Sequence, residues 1–259
     1  KVKLLKFFTA FTVSLMVMSI PWGLCFYRVS HKAISPRQEE KISSLNISLL
    51  LNLEGAKESS AFLEVDIKGQ KITLRVLPPL LLGEDCGKFK SLGEIWKTDG
   101  GKYAVAALNK TYNLNIEKWA CMTWGDFSKI CDLLGCCDFT LESDITDENG
   151  NLLLPRGRQI LNGTGLLLLL QRESSGDFLL PYHRFGEGLS GLLRDGSNIF
   201  TNGEEEKLFN LLANSADNNL DIYDLTALQS SDFFKAPLKV TDYKIKGALS
   251  ADGKLFLPN

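Results

Sequence analysis

The stretch from Leu152 to Phe185, LLLPRGRQILNGTGLLLLLQRESSGDFLLPYHRF, constrains this chain more than any other. Five consecutive leucines, Leu166–Leu170, leave no polar face in any regular structure, so the element they form must be buried on nearly all sides. Five residues fall far short of a bilayer span, so protein must do the burying. Turns at Pro155–Gly157 and Asn162–Gly163 lead into the run. A polar loop, Gln171–Asp177, leaves it, and an apolar-aromatic segment follows that ends in His183, Arg184 and Phe185. A buried element that opens into a charged loop is a common way to hold side chains at the mouth of a pocket.

At the other end of the chain, Lys1, Lys3 and Lys6 precede a segment without charge, Phe7–Tyr27. About twenty apolar residues suffice to cross a membrane as a helix. Trp22, Phe26 and Tyr27 stand at its far end, where interfacial aromatics belong. A cleaved signal peptide would show an A-x-A-like site of small residues, which does not follow the apolar run, and Gly23-Leu24-Cys25 is a poor match to a lipoprotein site. The expected organisation is a tail over residues 1–6, a transmembrane signal anchor over 7–27, a linker over 28–44 and a domain over 45–259. Charge alone does not orient the anchor, because Arg28, Lys32 and Arg37 balance the three lysines.

The net charge of −2 and the lack of a basic stripe argue against a nucleic-acid partner. The six cysteines form no C-x-x-C pair, and the two histidines are His31 and His183, so a His/Cys zinc site is not expected. Buried free thiols are the simpler expectation, with a disulfide left open if the domain is external. No G-x-S-x-G elbow, phosphate-binding loop or dinucleotide fingerprint occurs. His183 is the one histidine of the domain, and no serine is marked out as its partner.

Periodicity supplies the elements. Leu45–Leu53 has the composition of a buried strand. Ala61–Ile67 and Lys71–Leu77 flank Lys68-Gly69-Gln70 as a hairpin, and Pro78-Pro79 ends its second strand. Leu80–Gly101 is expected as a loop-rich connection. Helix spacing follows over Tyr103–Tyr112, a strand over Ile116–Thr123, a helix over Trp124–Leu134 stopped by Gly135, and a strand over Cys137–Leu141. Helices are expected at Gly186–Arg194, Glu204–Ala213 and Asp224–Gln229, with an edge strand within Leu238–Leu249 and a last segment at Leu255–Leu257. Strands alternating with helices point to an α/β fold, a layered α-β-α domain around a central mixed sheet.

Several of these segments, with Gly157, Leu161-Asn162-Gly163, the leucine run, Gly176-Asp177 and Asp132-Leu133-Leu134-Gly135, resemble the LytR-CpsA-Psr family of bacterial cell-envelope proteins. The resemblance runs from Leu45 to about Arg194. It implies a cytoplasmic N-terminus, a single-pass anchor in the cell membrane and an extracytoplasmic domain. It also implies transfer of a glycopolymer from a polyprenyl-pyrophosphate carrier to the cell wall. That chemistry needs arginines to neutralise the diphosphate, oxygen ligands for Mg2+, and an apolar pocket for the lipid. The sequence departs from the family at the charged positions. Where the family places arginines, this chain reads Gln171, Glu173, Leu180 and His183, and its Pro-Arg-Asp step reads Pro78-Pro79-Leu80. A register shifted by one residue would bring in Arg172 and Arg184 instead. The binding residues expected on this basis are Glu54, Arg172, Asp177 and Arg184, with Leu166, Leu168 and Leu170 lining a lipid pocket. No catalytic residue, metal ligand or cofactor is assigned; Mg2+ enters only if the active alternative holds. The expected function is a degenerate member that binds polyprenyl-linked glycopolymer or a wall-assembly partner, the alternative being an active phosphotransferase.

Overall fold

The computed structural model describes residues 46–55, 59–147, 149–171, 177–196, 205–214, 217–221, 223–224, 227 and 238–259. The expected anchor and linker, Arg172 and most of the expected Asp224–Gln229 helix lie outside these residues.

Nine residues of the first strand, β1 (Asn46–Glu54), pair antiparallel with β2 (Ser59–Lys68), which pairs antiparallel with β3 (Lys71–Leu77). The two-residue link between β2 and β3 needs a positive φ at its first position, and Gly69 supplies it at 60°. A short hairpin follows, β4 (Leu82–Asp85) and β5 (Lys88–Ser91), then helices α1 (Leu92–Asp99) and α2 (Gly101–Tyr112). The chain returns as β6 (Lys118–Thr123), which lies parallel to β1. Next come α3 (Trp124–Leu134), β7 (Cys137–Leu141), β8 (Ile145–Thr146), β9 (Leu152–Leu154), β10 (Gly157–Leu161), α4 (Gly163–Leu168), α5 (Leu180–Gly196) and α6 (Glu205–Ala213). The last strands are β11 (Lys239–Asp242), parallel to β3, and the β12 (Gly247–Leu249) and β13 (Phe256–Pro258) pair. The main sheet has the order β11-β3-β2-β1-β6 and mixes parallel and antiparallel neighbours.

The two faces of this sheet differ. On one, Leu49, Leu51, Leu53, Leu63, Ile72, Leu74, Val76, Ala120 and Met122 are all buried. Helices α3 and α5, joined by the Phe127 and Phe185 rings at 5.8 Å, cover it. On the other, Leu50, Phe62 and Leu77 are buried under α1 and α2, with Trp96 against Phe62 at 5.5 Å and the Trp119 ring against Gly101. This second face turns polar toward the start of β1, where Asn46, Ser48, Glu64, Asp66, Thr73 and Arg75 stand in cross-strand register. The layered α-β-α arrangement expected from the element order is therefore present.

Three local expectations are corrected. Leu80–Gly101 is ordered rather than loop-rich. Its strands LGED and KFKS are too short and too polar to show alternation, and their turn is made by Cys86 and Gly87, both at positive φ (47° and 81°). Helix α5 starts at Leu180, not Gly186, because Pro181 falls in the first turn, where a missing N–H breaks no helical bond. The leucine run forms α4 and the turn after it. Leu166, Leu167, Leu169 and Leu170 are buried, whereas Leu168, expected in the core, is only half-buried.

Candidate functional site

Strands β1 and β6 end side by side, Glu54 opposite Thr123, and α3 begins directly after β6. Carboxyl ends of parallel strands are where open α/β sheets meet ligands. Glu54 is exposed there. Behind it Asn52 is fully buried, and its Nδ2 donates to Glu54 Oε1 (3.3 Å) and Cys121 Sγ (3.7 Å). Asn52 Oδ1 has no partner. The Cys121 thiol is pushed up to about 12, first by burial and then by its hydrogen bond to Glu54 and the nearby Glu54 and Asp217 charges. It stays protonated at neutral pH and is a poor nucleophile.

Asp217 reaches this end from far along the chain. Its carbonyl accepts from Cys121 N (2.7 Å), and its Oδ2 accepts from Gly101 N (3.3 Å) at the start of α2. That helix has no side-chain cap of its own, so the distant carboxylate satisfies one of its open donors. A Cβ at Gly101 would come within 2.2 Å of Trp119, so Trp119 requires glycine there. Thr123 caps α3 by accepting from Asp126 N (3.2 Å), and Asp126 pairs with Lys129 (2.7 Å), whose hydrogen bond holds its carboxyl below the usual range. Among the described residues, the carboxylates of Glu54, Asp126 and Asp217 stand near this end, Asp126 being paired with Lys129.

Several of the described arginines have partners elsewhere. The segment expected to carry a Pro-Arg-Asp step is a proline turn docked on α1: Leu81 N donates to Pro78 O (3.0 Å) and Gly93 N to Pro79 O (2.9 Å). Arg75 is ion-paired with Glu64 in the middle of the sheet. Arg158 grips Asp138 with two bonds of 2.9 and 2.7 Å, and Arg194 Nε donates to Ser190 O (3.1 Å). Arg184, 8% exposed on α5, donates from Nη2 to Gln171 O (3.1 Å) and so fastens the end of the leucine turn. Asp177 accepts from Leu179 N (3.0 Å) and, through its carbonyl, from Leu180 N (3.1 Å), which makes it the turn residue that starts α5. His183 Nε2 meets Ile245 O at 2.9 Å. Among the described residues no contact joins Glu54, Asp177 and Arg184.

The leucines expected to line a lipid pocket are packed against protein. A Cβ on Gly188 of α5 would lie 2.7 Å from Leu166 and 2.9 Å from Leu169, so these side chains close directly on the α5 backbone. Leu166 and Leu170 belong to the core. Among the described residues no group of three acidic, histidine or cysteine side chains could hold a metal ion, and the side chains bonded to Glu54 are the Asn52 amide and the Cys121 thiol. Asn52, Cys121 and Asp217 were not expected at the site. A polar residue inside the apolar run LLLNLE was the signal for Asn52; nothing local marks the other two.

No family model and no curated protein matches the sequence. Solved structures do match. Bacillus subtilis TagT aligns with a TM-score of 0.61 at 17% identity, over 87% of this chain and 88% of that one. TagT bound to LIIa-WTA aligns at 0.65 and 16% identity over 86% and 88%, and B. subtilis TagV at 0.60 and 15% over 82% and 91%. A protein from Eubacterium siraeum reaches 0.69 at 17% identity over 82% and 86%. The chain has the LytR-CpsA-Psr fold. At 15–17% identity the likeness to these structures is one of fold.

Proposed function

We propose that this protein is a membrane-anchored cell-envelope protein of the LytR-CpsA-Psr type that binds a polyprenyl-linked glycopolymer or a partner in cell-wall assembly and transfers no phosphoryl group. What supports this reading is that Arg75 is ion-paired with Glu64, Arg158 with Asp138, and Arg184 is bonded to the Gln171 carbonyl, while Pro79 and Leu80 stand where the resemblance implies an arginine and an aspartate. Each arginine missing from a diphosphate site removes a charge-assisted contact of about 1.5–3 kcal/mol. TagT holds LIIa-WTA on the same fold, which supports a related ligand class here. Lipid contact would be apolar, and Leu168, the half-buried leucine of the run, is the one a tail would reach first. The anchor at residues 7–27 would hold the domain outside the membrane.

A second reading has one observation in its favour. Arg184 holds the carbonyl of Gln171, whose neighbour in sequence is Arg172, so a shifted pair of arginines would serve an active transferase. Detergent-solubilised full-length protein, incubated with a polyprenyl pyrophosphate and Mg2+, separates the two. The binding reading expects retention of the lipid without cleavage above background. Cleavage abolished by Arg172→Ala or Arg184→Ala would establish the transferase, and neither binding nor cleavage would leave a purely structural role.

A further inference from the structure

The end of the sheet opposite Glu54 carries a groove of about 330 Å3, between the start of β1, the end of β2, Arg75 of β3 and the loop that follows α2. Nine residues of β1 separate the two ends by roughly 25–30 Å. Glu64 forms part of the groove's wall and is 2% exposed. Its Oε1 is paired with Arg75, whose guanidinium also lies over the Tyr243 ring at 5.0 Å. Glu64 Oε2 has no hydrogen-bond partner. A buried carboxylate oxygen without a donor is destabilising, and a ligand that brings an O–H or N–H removes that cost.

The rest of the lining narrows the ligand class. Asn46, Ser48, Asn113 and Asn115 offer amides and a hydroxyl, each able to donate and accept. Charge is nearly balanced within the groove: Arg75 answers Glu64, Lys68 answers Asp66 at 2.8 Å, and Glu117 is left with Asn115 at 3.5 Å. The remaining negative charge disfavours phosphates and other polyanions. Leu114 adds apolar wall for a C–H face. We propose that this groove is a second binding site, for an uncharged glycosyl unit that donates a hydroxyl to Glu64 Oε2. The proposal does not depend on what binds near Glu54.

Titration of the full-length protein with chitotriose and with maltotriose, followed by calorimetry, tests it, with inorganic pyrophosphate as the anionic control. Saturable binding of at least one trisaccharide is expected. Glu64→Gln, whose oxygen is kept by Arg75 so that an NH2 group replaces the open acceptor, should weaken it about tenfold, the loss expected for one buried hydrogen bond. Asn115→Ala, an exposed change that leaves the core untouched, should weaken it severalfold. Failure of both trisaccharides to bind at concentrations up to about 10 mM, below which specific recognition would be visible, overturns the proposal. So does binding that both variants leave unchanged, or pyrophosphate displacing the sugar.

Discussion

Removing the Arg75 guanidinium isolates a charge inside the sheet. Leu50, Glu64 and Arg75 stand in one cross-strand row, with the Glu64 side chain 3% exposed and that of Arg75 26% exposed. Burial holds the Glu64 carboxyl above the usual carboxylate range, and Arg75 is the strongest influence pulling it back. Because the folded pKa exceeds the unfolded one, the folded chain keeps this proton to higher pH than the unfolded chain. The contribution of Glu64 therefore favours folding in acid and is lost as pH rises from the ordinary value of 4.5 through the folded pKa. Arg75→Met should raise that folded pKa further. Breaking a dry ion pair costs about 3–5 kcal/mol, but Arg75 is partly wet and Glu64 can escape by protonating, so about 2–3 kcal/mol is expected at neutral pH. For a domain of this size that lowers the melting temperature by roughly 5–10 °C. Thermal and urea unfolding at about pH 5 and about pH 8 should show the deficit shrinking at the acid end. Adding Glu64→Leu to Arg75→Met should recover most of the loss, since an apolar pair of similar volume replaces the ions beside Leu50. An equal deficit at both pH values, together with no recovery in the double variant, would refute the reasoning.

Two further outcomes follow from burial. Leu166→Ala should destabilise by about 2–5 kcal/mol, whereas Leu168→Ala should cost clearly less, because only Leu166 is fully buried against Gly188; equal losses in urea unfolding would show that the leucine helix is oriented differently. On brief alkylation of the native protein at mildly alkaline pH, Cys136 should label first and Cys86 more slowly, since a hydrogen bond to Asp85 raises its thiol. Cys121 and Cys131 should resist until unfolding, and early labelling of Cys121 by peptide mass spectrometry would contradict its place beside Glu54.

The sequence by itself determined the elements whose signals are local. Apolar alternation with a glycine turn produced the β2–β3 hairpin, and helical spacing with Thr123 before and Gly135 after produced α3 at the bounds found. The leucine run had to be buried because no regular structure gives it a polar face, and all but Leu168 are. Binary pattern failed where strands were short and polar, as in β4 and β5, whose pairing depends on a turn and on the packing of α1. The strand order and the parallel pairing of β6 with β1 rest on contacts between residues some seventy positions apart, which no local window contains. Tertiary structure alone decided the site. It brought Cys121 and Asp217 to Glu54, paired Arg75 with Glu64 across two strands, and directed Arg184 to a backbone carbonyl. A side chain's charge is written in the sequence, but the partner that neutralises it is chosen by which strands and helices are packed together.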